Sequence, residues 1–335
     1  MLNFLLFFFL FLFTPLPAEL CDPGDKSALL AIKNSFPNPN NTIFSSWTDD
    51  YPCCHWYGVE CDETTSNVIS LYVLRTDTIN GTIPPAISKL KHLQNLHLFK
   101  LPNLVGEIPP QLGEMVNLRY MYIGWTNVSG PVPSFLSNLK NLLDLYLTFN
   151  QLSGSIPPYL ATLPSLRILD LSRNQLVGPI PDSFGRFAAK SQEFSTLRLS
   201  HNKLTGELPR SLKNMNITEV DLSRNNLSGD GSVLFGETKI TDTLVISRND
   251  LEFDFSRVRF PRKLETLDVS HNRIYGSIPP QIAAAERLQR LNVTYNRLCG
   301  KIPTEWNLTL RVEIFDNTSY FHNRCLCGIP LPPCK

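Results

Sequence analysis

A chain of 335 residues is near the size at which one compact core stops growing, so two domains are the default expectation. A formal net charge of +1 excludes the basic field that nucleic-acid binding requires. Proline is abundant, at 26 residues, yet it returns at one fixed position of a repeat and so does not mark disorder.

The chain opens on Met1–Phe13, apolar from Leu2 onward except for Asn3. This run is too short to span a bilayer and fits the apolar region of a secretory signal. Pro15 and Pro17 end any helix there, and cleavage is expected near Ala18. Residues 1–18 are therefore read as a signal peptide. No later segment reaches ~18 apolar residues, the length of a spanning helix, and Cys327–Lys335 is no GPI tail. A secreted, soluble and monomeric protein is expected.

Residues 19–67 read as an N-terminal cap. Asp25 is placed as the N-cap of a helix whose apolar residues Ala28, Leu29, Ile32 and Phe36 follow helical spacing. Trp47, Trp56 and Tyr57 lie near the cysteines and are expected to cover the open end of the first repeat.

Residues 68–304 hold the organising pattern. The stretch LRILDLSRNQLVGPIP at Leu166–Pro181 recurs, and aligning its L-x-L pair gives ten copies, beginning at Leu71, Leu96, Met121, Leu145, Leu169, Leu197, Val220, Leu244, Leu267 and Leu291. Their spacing of 23 to 28 residues is the period of a leucine-rich repeat. The expected fold is an α/β, right-handed solenoid of ten repeats with a concave parallel β-sheet. Such a coil grows along one axis and escapes the size limit of a single core.

Alternation in L-x-L turns the leucines inward and their neighbours outward. Five residues after the first Leu stands Asn150, Asn174, Asn202, Asn225, Asn249, Asn272 or Asn296, placed to satisfy backbone groups of adjacent coils. The first three copies carry Thr76, Leu101 and Thr126 there, so the ladder weakens at that end. G-x-[IVL]-P follows, as at Gly178–Pro181, and suggests a sharp turn, a core aliphatic and a short second strand on that flank. Segments such as Pro133–Leu139 close the convex side. Three stretches break the pattern: the linker FGRFAAKSQEF, Gly229–Gly236, and Leu251–Pro261. The coil is expected to bulge there, and irregular segments can carry function.

Residues 305–335 form the C-terminal cap. The eight cysteines fall in two clusters at the two ends of the repeat array, Cys21, Cys53, Cys54 and Cys61, then Cys299, Cys325, Cys327 and Cys334. Behind a signal peptide they read as disulfides that close the exposed solenoid ends. Each cluster allows three pairings. We favour Cys21–Cys53, Cys54–Cys61, Cys299–Cys325 and Cys327–Cys334, a bridge between vicinal Cys53 and Cys54 being strained. A zinc site is the rival reading, disfavoured by secretion and by the lack of two CxxC pairs. Eight N-x-[ST] sequons, at Asn40, Asn80, Asn127, Asn216, Asn226, Asn292, Asn307 and Asn317, are candidate glycosylation sites.

The outward positions give the candidate binding face. Early repeats offer His97, Phe99, Tyr120, Tyr122, Trp125, Asp144, Tyr146 and Phe149; later ones offer Asp170, Arg173, Arg198, His201, Asp221, Arg224, Arg248, Asp268 and His271. Tyr, Trp and Arg are enriched at binding hot spots, although aromatics on a sheet also serve cross-strand packing. Arg173, His201, Arg224, Arg248 and His271 form a column suited to an acidic protein cleft or to the carboxylates of another ligand. Asp170, Asp221 and Asp268 stand nearby to neutralise it. A glycan at Asn292 on the last strand would confine partners to earlier repeats.

The repeat resembles the extracellular leucine-rich repeats of plants. CDPGDKSALLAIKNSF, YPCCHWYGVECD, LSRNDLEFDFSRVRFP and the end LNVTYNRLCGKIPTEW…SYFHNRCLCGIPLPPCK narrow this further. Together they resemble the plant polygalacturonase-inhibiting proteins over the whole mature chain. The resemblance implies an apoplastic cell-wall defence protein that binds fungal endopolygalacturonase through its concave sheet, with wall pectin as a second candidate ligand. It also supports the disulfide pairing above.

Three other functions fit the sequence less well. Asp221 and Asp268 lie roughly 10 Å apart by strand spacing, beyond an inverting glycosidase pair. No nucleophile elbow, metal motif or phosphate loop is present, so no catalytic residue, cofactor or metal is expected. An ice-binding protein would want a flat array of Thr or Asn, against the mixed outward rows. A recognition module in signalling or development would use the same face as an inhibitor.

Overall fold

The computed structural model describes residues 21–37, 42–187, 195–303 and 316–335. The expected signal peptide, Asn40, Asn307 and residues 188–194 of the irregular linker lie outside them.

The L-x-L pairs form ten parallel strands in one sheet, Val68–Leu74, Asn95–Glu107, Tyr120–Pro131, Asp144–Tyr146, Ile168–Asp170, Thr196–Arg198, Glu219–Asp221, Thr243–Val245, Thr266–Asp268 and Arg290–Asn292. Their register sets the ten aligned residues side by side, from Leu71 against Leu96 to Leu267 against Leu291. Every member of this row is buried. Strand alternation thus delivers one continuous apolar seam to the coil interior.

The Asn row runs beside that seam. Asn174 Nδ2 donates to Leu147 O at 2.7 Å and Leu171 O at 3.0 Å, while its Oδ1 accepts from Leu152 N at 3.0 Å. Asn202, Asn225, Asn249, Asn272 and Asn296 repeat the donation to their own and the preceding coil. Asn323 of the C-terminal cap continues it, reaching Val293 O and accepting from Leu298 N. At the other end the ladder thins, with Leu101 apolar and Thr126 Oγ1 donating to Asn150 Oδ1.

Four residues past most of these asparagines, glycines such as Gly154 (φ 76°) and Gly178 (φ 77°) take the left-handed backbone that a side chain resists. These glycines lie in or next to short flanking strands, as in Lys203–Glu207 and Asn226–Gly229. The prolines then begin single 3₁₀ turns on the convex side, including Pro110–Glu114 and Ser134–Asn138. The helical part of this α/β solenoid is therefore mostly 3₁₀; the one α-helix among the described residues, Pro23–Asn34, belongs to the cap.

That helix corrects one expectation. Asp22 is its N-cap, accepting from Asp25 N at 2.9 Å. Asp25 lies inside the first turn, buried, and its Oδ2 accepts from Val68 N at 2.7 Å. It ties the cap to the first repeat strand. Trp47 and Trp56 stack 5.5 Å apart and are buried, whereas Tyr57 is 57% exposed and contributes through its backbone, its carbonyl accepting from Trp47 Nε1 and its N–H donating to Ser46 Oγ. Disulfides join Cys21 to Cys53, Cys54 to Cys61, Cys299 to Cys325 and Cys327 to Cys334, so the clustered sulfurs of Cys21, Cys53 and Cys54 are all consumed.

The break at Leu251–Pro261 also has a packing cause. Phe253 stands where other repeats carry the turn glycine, and it joins Phe235, Phe255 and Phe260 in a buried cluster with ring centroids 5.6 to 6.3 Å apart. Aromatic volume replaces the regular aliphatic filling at that coil.

Candidate partner-binding surface

Two residue rows give the concave face its chemistry. One is the outward residue between the paired leucines: Tyr72, His97, Tyr122, Tyr146, Asp170, Arg198, Asp221, Val245, Asp268 and Asn292 in register. The other lies just before the Asn row.

The first row starts as an aromatic ladder. Ring centroids are 4.9 Å apart for Tyr72–His97, 5.8 Å for His97–Tyr122 and 5.3 Å for Tyr122–Tyr146, and Phe99 lies 5.3 Å from Tyr122. Gly124 leaves the space into which Tyr122 folds, since a Cβ there would lie 3.3 Å from the ring. These rings are half-buried by one another. Burial lowers the His97 pKa and raises those of the Tyr122 and Tyr146 phenols. Such mutual support holds the rings in place before a partner arrives, which lowers the ordering cost of binding. Tyr120 lies half-buried on the neighbouring outward position.

The ladder ends in an ion cluster. Arg198 grips Glu219 through Nε and Nη2, both at 2.7 Å, and approaches Asp170 at 3.7 Å. Asp170 corrects the outward list: although outward in register it is only 6% exposed. Its Oδ1 accepts from the backbone N and the hydroxyl of Ser172. Desolvation raises its pKa, against those bonds and the Arg198 charge. Asp221 accepts the same two bonds from Ser223, Asp268 accepts from Ser270 N, and Asn292 accepts both from Thr294. These side-chain oxygens brace the ends of their four strands. Asp144, one position earlier, is half-buried, with Oδ1 lacking a hydrogen-bond partner and 3.9 Å from Arg167 Nε.

The second row was only half visible to alternation. Arg75, Lys100, Trp125, Phe149, Arg173, His201, Arg224, Arg248, His271, Tyr295 and His322 all adopt positive φ, between 53° and 58°. This left-handed backbone disfavours bulky side chains, yet every position is filled by a cation, an aromatic ring or histidine. Lys100, Trp125, Phe149 and Arg173 stack in sequence, at 5.4 Å, 3.7 Å and 4.6 Å. His271, Tyr295 and His322 stack at 4.1 Å each. Alternation does not reach Arg75, Lys100, Tyr295 and His322; their signal is the position before Thr76, Leu101, Asn296 and Asn323. Arg173, Arg224 and Arg248 have no ion pair among the described residues. Their charges contribute to lowering the His201 and His271 pKa values, after desolvation.

The described sequons differ in exposure. Asn80, Asn127, Asn216, Asn226 and Asn317 are exposed, while Asn292 is half-buried on the last repeat strand.

Capped ends, an Asn-laddered coil and an open concave face define a leucine-rich-repeat binding protein. Residues 22–62 match the leucine rich repeat N-terminal domain, and residues 112–176, 194–215, 213–235 and 263–284 match leucine rich repeat families. The chain is 51% identical over 321 residues to "Polygalacturonase inhibitor" of Pyrus communis, covering 96% of this chain and 94% of that protein. It is 50% identical over 321 residues to "Polygalacturonase inhibitor" of Vitis vinifera, covering 96% and 93%. A crystal structure of a plant ice-binding protein aligns with a TM-score of 0.87 and 46% identity, covering 94% of this chain and 98% of that one. The chain belongs to the polygalacturonase inhibitor family of leucine-rich-repeat proteins.

Proposed function

We propose that this protein is a plant defence inhibitor that binds fungal endopolygalacturonase and occludes its cleft, without chemistry of its own. The observation that carries this reading is the half-identity to polygalacturonase inhibitors along nearly the whole chain. Phe99, Tyr122 and Tyr146 supply a braced aromatic contact, and Arg173, Arg224 and Arg248 supply cations that form no ion pair among the described residues. A pre-set aromatic cluster next to free guanidinium groups suits an acidic protein cleft. The same guanidinium row suits carboxylates of wall pectin as a secondary ligand. Residues 1–18 act as a signal peptide, and the mature monomer works in the cell wall. No helix of the described residues is long and apolar enough to cross a membrane.

The test is reducing-end release from polygalacturonate by a panel of fungal endopolygalacturonases, with and without the purified protein. Saturable inhibition of one enzyme supports the reading. No inhibition and no binding across the panel would overturn it in favour of a receptor-side recognition module using the same face.

A further inference from the structure

Among the five sequons of the repeats, Asn127 alone has an aromatic residue two positions before it, Trp125; Asn80, Asn216, Asn226 and Asn292 follow Thr78, Asn214, Arg224 and Arg290. Trp125 and Asn127 line one groove of 310 Å³ on the rim of the concave face, together with Pro102, Phe149, Gln151 and Arg173. Trp125 is 44% exposed, which is unusual for so large an apolar ring. Its left-handed backbone (φ 57°) and its stack on Phe149, 3.7 Å away at 14°, hold it upright. Asn127 is exposed and anchored by Nδ2 donating to Pro102 O at 2.7 Å.

We propose that the first sugar of an N-glycan on Asn127 docks in this groove against Trp125, a built-in carbohydrate site occupied by the protein's own modification. The proposal rests on the secretory route assigned above. In that route an oligosaccharide moves from a lipid-linked diphosphate donor. The Asn127 Nδ2–C1 bond forms, the C1–O bond to the diphosphate breaks, and the amide loses one proton. The Nδ2–H that remains still donates to Pro102 O and fixes the direction in which the sugar leaves the chain. The C–H face of the sugar meets the exposed part of the indole, an apolar contact made without ordering a new side chain. Its hydroxyl and acetamido groups meet the Gln151 amide and the Arg173 guanidinium. The groove has room for a sugar, and the tether makes the contact intramolecular, so a weak contact suffices. One consequence is a division of the rim. Trp125 belongs to the glycan, and the protein partner meets Tyr122, Tyr146 and the later guanidinium groups.

Asn226 is the internal control, since it too is exposed, but follows Arg224 instead of an aromatic ring. Full-length protein secreted from plant cells is treated, folded, with a peptide N-glycosidase, and release is followed site by site by peptide mass. Docking predicts severalfold slower release at Asn127 than at Asn226, because cleavage tracks the undocked population. Trp125→Ala should bring Asn127 to the Asn226 rate without changing Asn226, and Trp125→Tyr should keep the protection. Equal rates in the unaltered protein, or protection that survives Trp125→Ala, overturn the docking. A bare Asn127 beside an occupied Asn226 overturns it too, while leaving the secretory assignment standing. Bare asparagines at every sequon bring down the secretory assignment itself.

Discussion

Arg198 and Glu219, neighbours on adjacent strands, form a two-pronged ion pair with both nitrogen–oxygen distances at 2.7 Å. The pair also leans on Asp170, 3.7 Å away. The Arg198 charge is thereby consumed inside the sheet, in contrast to Arg224 and Arg248 on the neighbouring row. Arg198→Ala should therefore lower stability, by ~1 kcal/mol once partial exposure is allowed for, and raise the Asp170 pKa further. Polygalacturonase inhibition by the folded variant should change little. Denaturant unfolding and inhibition, measured on the same preparation, separate these effects.

The Asn ladder makes a stronger demand. Asn249 Nδ2 reaches the carbonyls of Leu222, Ile246 and Ser247, and its Oδ1 accepts from Leu227 N. Asn249→Ala leaves several buried backbone groups unpaired in two coils at once, a loss of roughly 2–4 kcal/mol. Because a solenoid couples only through neighbours, the variant should also unfold in two steps, with a smaller m-value for the main transition. A single transition of unchanged m would show that the coils remain coupled through the leucine seam alone.

The phenylalanine cluster gives a local test of packing. Phe255 is fully buried and lies within 5.6 to 6.3 Å of Phe260, Phe235 and Phe253. Phe255→Ala should cost ~3–5 kcal/mol. Hydrogen exchange should rise first in residues 229–261 and spare the N-terminal coils.

Asp144 predicts a pH dependence of unusual sign. Desolvation raises its pKa above 3.8 despite the Arg167 charge, and its buried Oδ1 lacks a hydrogen bond. A carboxyl with a raised folded-state pKa binds its proton more readily in the folded chain. Its favourable contribution is therefore complete below the unfolded value and is lost as pH rises through the folded one. Asp144→Asn should stabilise the protein at pH 7 by ~1 kcal/mol, and the gain should shrink as pH falls towards 3.8. Melting temperatures of both proteins across that range check it. A gain independent of pH would assign the effect to the orphaned oxygen rather than to the charge.

The strictly periodic features were legible in the sequence. Leu169 and Asn174 each do one job that their coil repeats, so spacing alone placed them. Asp25 reads as the N-cap because it precedes the apolar helix face, as Asp22 also does; the bonds from Asp25 N to Asp22 Oδ1 and from Val68 N to Asp25 Oδ2 separate the two roles. Alternation placed Asp170 outward, but its burial depends on Ser172 and on Arg198 from the next coil. The D-x-S recurrence at Asp170, Asp221 and Asp268 was a local signal for that role, whereas the Arg198–Glu219 contact needed the register. Phe253 hid its role by standing where a glycine was expected.

The left-handed row sets the last prediction, because it separates backbone from side chain at the binding face. Arg248 holds φ at 56°, a conformation open to glycine and hostile to a β-branched residue. Arg248→Gly relieves that strain while adding freedom to the unfolded chain, so stability should stay within about 0.5 kcal/mol of the parent. Arg248→Val brings a branched Cβ to the same backbone and should cost ~1–2 kcal/mol. Both remove the guanidinium, so both should weaken inhibition to the same degree, and the loss should diminish as salt screens the parent's advantage. Unequal inhibition by the two folded variants would mean that the strained backbone, and not the exposed charge, is what the partner reads at this coil.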